Sequence, residues 1–194
     1  MELVSSSNLL MRIDENKPHK WNRYMPGAGI VLFRQNQESN DCEYQILLVT
    51  SKKGSIGFPK GCQEIVDMSN GHHNYCKTAL RELYEETGIT QEQIVILNTE
   101  PIKEEKMKCY VTCHNKTMTP INKINYYYVA ILNSLEFDTK LRKNITELTE
   151  VKWYTVLETF KLIPLANAIS TRGLSLQRYE IMNNALALIK HHNK

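Results

Sequence analysis

Several things are scarce in this sequence, and each scarcity closes off a class of protein. Nowhere do the ~18–20 consecutive apolar residues needed to cross a bilayer run together. The cysteines number five, an odd count, and their spacing suggests no disulfide framework, so a reducing compartment is the simpler expectation. The paired C-x₂-C spacing of zinc sites is missing as well. Cys109, Cys113 and His114, or Cys62, His72, His73 and Cys76, therefore read as ordinary thiols and loop histidines. A formal charge of +3 is too small to argue for any partner by itself. Internal repeats and low-complexity tracts are absent. The opening "MELVSSSNLLMRIDENK" has one short apolar patch quickly followed by charges, which does not read as a signal peptide.

What is present suits one globular domain with a full-sized core, at 194 residues and 42% apolar content. Residues 1–26 read as a polar N-terminal extension and residues 27–194 as the domain. "GAGIVLFR" (Gly27–Arg34) and "EYQILLVTSK" (Glu43–Lys52) form a hairpin-like pair of buried strands across a polar turn. "GSIGFPKG" follows and reads as a loop, rich in glycine with one proline. A helix over "CKTALRELYEET" comes next, with Gly88 placed as its C-terminal cap. "QIVILNTEPI", "KMKCYVTC", "INYYYVAIL" and "TELTEVKWYTV" read as further strands. The closing "LSLQRYEIMNNALALIKHH" reads as a helix with Tyr179, Met182, Ala185, Leu186 and Ile189 on its core-facing side. Strands lead, one helix sits centrally and another closes the chain, so an α+β arrangement is expected over regular βαβ alternation. Lys103, Lys106, Lys108, Lys116 and Lys123 fall in one segment, and Lys140, Arg142 and Lys143 in another. These read as solvated surface that would also favour a polyanionic substrate.

The central helix carries the chemical signal. At 100° per residue, Glu82, Glu85 and Glu86 lie on one side, while Cys76, Ala79, Leu80, Leu83 and Thr87 form the apolar stripe. Arg81 stands four residues before Glu85 and can pair with it. Two features cost stability: Glu82 and Glu86 repel at i,i+4, and Glu85 and Glu86 place negative charge in the last turn, where the macrodipole favours cations. A divalent ion answers both, because carboxylate oxygens are hard ligands of the kind Mg²⁺ takes alongside water and phosphate.

Behind "GFPKG", the run Arg81-Glu82-Leu83-Tyr84-Glu85-Glu86-Thr87-Gly88-Ile89 resembles the second half of the Nudix hydrolase signature at every fixed position. Gly61 occupies the glycine of the first half. After five intervening residues, Asp67 stands where the signature has glutamate, with Glu64 as the nearby alternative. Thirteen residues separate Asp67 from Arg81 where the signature has seven, so a six-residue loop around "MSNGHHNY" is inserted before the helix.

The resemblance implies a Nudix fold, a mixed β-sheet sandwiched between α-helices, and hydrolysis of phosphoanhydride bonds with Mg²⁺ or Mn²⁺. It implies Glu85 and Glu86 as main metal ligands, Glu82 as a further ligand or base, the Lys60 carbonyl as another ligand, and Arg81 as the residue that orients the glutamates. The Lys60 side chain would face phosphate, as Arg81 also could. A second resemblance points to the mRNA-decapping Nudix enzymes of cells and large DNA viruses. Their later segment, roughly Glu-Ile-x-x-Ile-x-Trp, matches Glu147-Leu148-Thr149-Glu150-Val151-Lys152-Trp153. It would make Glu147 a distal metal ligand or general base, with Glu150 as runner-up. The implied reaction releases a methylated guanosine diphosphate from capped RNA in the cytoplasm, or host cytoplasm for a viral enzyme, with no membrane role. Trp21, Tyr24, Phe58 and the "NYYYV" tyrosines are the candidates to stack on a cap. Small polyphosphorylated molecules, diphosphoinositol polyphosphates or dinucleoside polyphosphates, suit the same lysines. A non-catalytic RNA-binding module of this family would be expected to have lost helix glutamates, and all three are present.

Overall fold

The computed structural model of the chain describes residues 26–36, 43–69, 71–112, 118–133, 147–163 and 173–192. Trp21, Tyr24, Lys140, Arg142, Lys143, Cys113, His114 and the side chains of Lys106, Lys108, Cys109, Lys116 and Lys123 lie outside the described residues. The strands are β1 (Gly27–Gln35), β2 (Tyr44–Ser51), β3 (Ser55–Gly57), β4 (Lys60–Cys62), β5 (Ile94–Ile96), β6 (Ile102–Thr112), β7 (Met118–Leu132), β8 (Leu148–Thr155) and β9 (Gly173–Leu174). The helices are α1 (Tyr75–Thr87), α2 (Val156–Lys161) and α3 (Leu176–His192).

Among the described residues one mixed sheet runs in the order β5-β7-β1-β2-β3-β9, with β4 also on β1, β6 on β7 and β8 on β2. β1 and β7 are parallel, and β1 pairs antiparallel with β2 as the hairpin reading expects. Central β1 is buried continuously from Gly27 to Phe33, because both faces of the sheet are covered. On one face Ala79 and Leu83 of α1 pack on Ala28, Ile30, Leu32, Leu47 and Ala130. On the other, Ile181, Met182, Ala185 and Ile189 of α3 pack on Val31, Phe33, Ile46, Leu48 and Val129. The expected α+β class, a mixed sheet between helices, is what the chain adopts. Tyr179 and Leu186 stand at the edge of the α3 contact rather than in its centre.

Several boundaries differ from the expectation. The glycine-rich "GSIGFPKG" is not all loop: β3 and β4, three residues each, pair with β2 and β1 at its two ends. The strand after α1 shrinks to β5, and β8 gives way at Val156 to α2. There Thr155 caps the helix by accepting from the Glu158 amide at 3.2 Å. Phe58 and Tyr127 are core residues, 1% and 0% exposed, and meet edge-on with ring centroids 5.3 Å apart. Neither is placed to stack on a ligand. Tyr126 is already stacked, on Tyr75, at 3.9 Å.

Candidate active site

Helix α1 is fixed at both ends by local chemistry. Asn74 caps its start by accepting from the Lys77 amide at 3.0 Å. Gly88 ends it in the left-handed conformation (φ 80), its amide donating to the Tyr84 carbonyl at 2.9 Å. The inserted segment folds into its own turn, Ser69 bridging His72, and the His73 ring donates to the buried Gln63 carboxamide. The extra residues are therefore absorbed ahead of the cap.

Strand β4 lies against the flank of α1 that carries the glutamates. The Lys60 amide donates to Glu86 Oε2 at 3.0 Å. A Cβ on Gly61 would run into the Glu82 carboxylate, so glycine is needed here because the carboxylate rests directly on backbone. Glu82 and Glu86, one helical turn apart, thus dock on adjacent residues of one strand. Burial, followed by the charges of Glu85 and Glu64, pushes the Glu82 carboxyl up to about 7 although Arg81 opposes it. Burial and then the Glu82 charge push Glu86 up to about 8, against the Lys60 amide, and Glu147 adds to the rise. Glu147 therefore stands close enough to Glu86 to act on it electrostatically. Glu150 faces another way, accepting from the Thr50 hydroxyl at 3.4 Å.

Arg81 organises the other side. Its guanidinium donates to both oxygens of Asp67 at 3.0 Å, to the Cys62 carbonyl at 2.9 Å and to Glu85 at 2.9 Å, and it pairs with Glu82 at 2.9 Å. Asp67 is 1% exposed; burial raises its carboxyl, but the bonds from Arg81 outweigh that and hold it below the usual range. Of Asp67 and Glu64, it is Asp67 that Arg81 grips with its guanidinium. Glu64 is half exposed and stands 4.0 Å from Arg81, while its amide donates to Asp67. With these bonds made inside the protein, Arg81 has the geometry of an orienting residue, and its place as a substrate contact finds no support in them. Glu85, about half exposed, is turned toward Arg81.

Among the described residues no three His, Cys, Asp or Glu side chains already enclose an ion-sized site. The donor set nonetheless fits a hard divalent cation. Two half-buried carboxylates held within one turn, with Glu85 beside them, supply several hard oxygens, and Mg²⁺ needs few protein ligands when water and phosphate complete its shell. Sequence reasoning missed Glu104 and Asn125, both buried and in register, across β1, with the end of β4. Glu104 lies in the charged run "KEEK", which reads as solvated surface, and only the pairing of β6 with β7 turns it inward.

The NUDIX domain model matches residues 23–172 of the chain. No curated protein matches the sequence. Among solved structures, the Ap4A hydrolase of C. elegans in a binary complex is similar at 20% identity and TM-score 0.59, covering 86% of this chain and 98% of its own. The NUDIX domain of Shewanella oneidensis NrtR with ADP ribose is similar at 16% identity and TM-score 0.57, covering 95% and 99%. The E. coli dihydroneopterin triphosphate pyrophosphohydrolase follows at 14% identity and TM-score 0.54, covering 81% and 92%.

Proposed function

Because this chain belongs to the NUDIX domain family and is a Nudix pyrophosphohydrolase, we propose that its substrate is a nucleotide-linked polyphosphate, and specifically the 5′ cap of mRNA. The observation that carries the reading is the docking of Glu82 and Glu86 on the Lys60–Gly61 backbone, with Glu147 acting on Glu86 from the start of β8. Glu147 and Trp153 hold the spacing of the decapping segment, and β8, which takes up that segment from Leu148, pairs with β2 across a register shift at Thr50/Ser51. The charge of Glu147 therefore falls at the catalytic helix.

Glu85, Glu86, Glu82, Glu147 and the Lys60 carbonyl would hold Mg²⁺ or Mn²⁺, which when bound neutralises diphosphate charge and favours attack by water. The remaining work belongs to the protein. Glu82 is the first candidate to accept the proton from the attacking water. Glu147 is the second candidate base. The Lys60 ammonium offers a point charge to a phosphate oxygen. Arg81, gripped by Asp67, keeps Glu82 and Glu85 from swinging away. The products are a methylated guanosine diphosphate and an RNA bearing a 5′ phosphate.

One assay panel tests this. Capped RNA, cap dinucleotide, diphosphoinositol polyphosphates and diadenosine polyphosphates are offered with Mg²⁺ or Mn²⁺ to the wild type and to Glu86→Gln. Turnover of capped RNA by the wild type alone supports the reading. Turnover of only the small polyphosphates rules out decapping and assigns the same chemistry to a small molecule. Full activity of Glu86→Gln on every substrate overturns the role of the helix.

A further inference from the structure

On the α3 face of the sheet, a buried polar network surrounds one carboxylate. Glu104 of β6, 2% exposed, accepts from the Asn125 amide at 2.6 Å and from the Tyr127 hydroxyl at 2.9 Å, both on β7. The guanidinium of Arg178, in the first turn of α3, stands 3.6 Å away. Burying a carboxylate beside a half-buried guanidinium is costly unless the group is well hydrogen-bonded, as Glu104 is.

What this network touches is the segment that presents Lys60. Arg178 donates to the Ile56 carbonyl and fills the space above Gly57, where a Cβ would lie 2.6 Å from the guanidinium. Tyr127 packs edge-on against Phe58. Asn125 occupies the space beside Gly27, and a Cβ there would also lie 3.1 Å from the Gly61 carbonyl. Two partners of Glu104 thus hold the start of Gly57–Gly61, Arg178 at Ile56–Gly57 and Tyr127 at Phe58, while Asn125 lies against Gly27 on the neighbouring β1, next to the Ala28 that pairs with Gly61. That segment delivers the Lys60 amide to Glu86 and the bare Gly61 backbone to Glu82.

We infer that Glu104 is a positioning residue: through Arg178 and Tyr127, with Asn125 set against Gly27 of the adjoining strand, it clamps Gly57–Gly61 in the conformation that holds the catalytic glutamates. The inference rests on the assignment of Lys60, Glu82 and Glu86 to the active site made above. Glu104 touches no reacting atom, so its removal acts through loop geometry and not through substrate contact.

The test compares Glu104→Ala and Glu104→Gln with Ile189→Ala. The last removes a fully buried side chain from α3, about 16 Å along the helix from Arg178. Backbone amide exchange of Gly57, Phe58, Lys60 and Gly61, Mn²⁺ affinity, and kcat and KM are measured on folded protein at matched distance below each melting temperature. Glu104→Ala is expected to speed exchange of these amides about tenfold and to weaken Mn²⁺ binding about tenfold, lowering kcat with KM little changed. Glu104→Gln keeps the shape and one acceptor oxygen but loses the charge facing Arg178, and falls between. Ile189→Ala lowers the melting temperature and leaves these readouts at wild-type values. If the Glu104 variants match Ile189→Ala in exchange and Mn²⁺ affinity, Glu104 is a core residue only and the inference is overturned. Should Glu104→Ala not fold, Glu104→Gln decides by the same comparison. If the wild type hydrolyses no substrate, the functional reading fails, while exchange at Gly57–Gly61 still decides the clamp.

Discussion

Replacing Glu86 with glutamine should make the metal-free protein more stable while abolishing its activity. The carboxyl has an ordinary value of 4.5 and is pushed to about 8 in the folded chain, first by burial and then by the charge of Glu82. Each pH unit between those values costs the folded state about 1.4 kcal/mol, because the native protein must hold a proton or bear a charge it cannot solvate. The sign follows from the raised value. Stabilisation linked to this proton is complete below about pH 4.5 and is lost as pH rises through about 8. Full linkage at about pH 7.5 amounts to roughly 4 kcal/mol; coupling to Glu82 shares that cost between the two groups, which leaves about 2 kcal/mol for Glu86.

Glutamine keeps an oxygen for the Lys60 amide and carries no charge. Glu86→Gln should therefore gain about 2 kcal/mol at about pH 7.5, a rise of roughly 4–8 °C in melting temperature for a domain of this size. At about pH 5 the gain should fall below about 1 kcal/mol. Thermal unfolding in chelator, followed by circular dichroism at both pH values, measures it. Saturating Mn²⁺ should reverse the order, stabilising the wild type and not the variant. A Glu86→Gln protein that is less stable than wild type in chelator near neutral pH would refute the argument that the carboxylate is held against its own electrostatics.

Three further outcomes are expected. Asp67→Asn leaves Arg81 without its buried counter-charge, so stability should fall by about 3 kcal/mol in urea unfolding, with a loss of activity as Glu82 and Glu85 lose their anchor. Gly61→Ala drives a Cβ into the Glu82 carboxylate; kcat should fall at least about 10-fold, since sub-ångström misplacement at a reacting centre is costly, and an unchanged kcat would remove Glu82 from the site. Glu147→Gln should lower kcat by about 10²-fold or more, while Glu150→Gln, whose carboxylate faces Thr50, should stay within about threefold; the reverse order would exchange their roles.

The elements that the sequence declares are those with strong local pattern. The unbroken apolar run of β1, the stripe of α1 and the cap at Gly88 were all readable, because burial on both faces, helical spacing and a left-handed glycine each leave a mark within a dozen residues. The glutamates of α1 were readable for the same reason, their alignment being a property of one helix. The i,i+4 partner of Arg81, Glu85, was readable too, but its buried partner was not. Asp67 and Glu64 lie three residues apart, and only a single 3₁₀ turn over Ile65–Asp67 sends one inward and leaves the other in solvent. Strands β3, β4 and β9 were hidden because two or three residues carry no period, and pairing alone defines them. Glu104 was hidden most completely. Its neighbours Lys103 and Glu105 are exposed, and its burial depends on side chains 21, 23 and 74 positions distant, as the numbering of Asn125, Tyr127 and Arg178 shows.

The turn between Asp67 and Asn74 makes the stretch ahead of the catalytic helix a natural docking port for foreign sequence. Asp67 is locked to Arg81 below it and Asn74 sets the first helical turn above it, so the distance between those anchors is fixed whatever loops out between them. Gly71, at φ 76 and with open space where a side chain would point, marks the tip. Adding residues there lengthens a tether whose ends are already nailed down, at an entropic cost that grows only logarithmically. An epitope tag or a second binding domain spliced at Gly71 should leave the spacing of Glu82, Glu85 and Glu86 untouched.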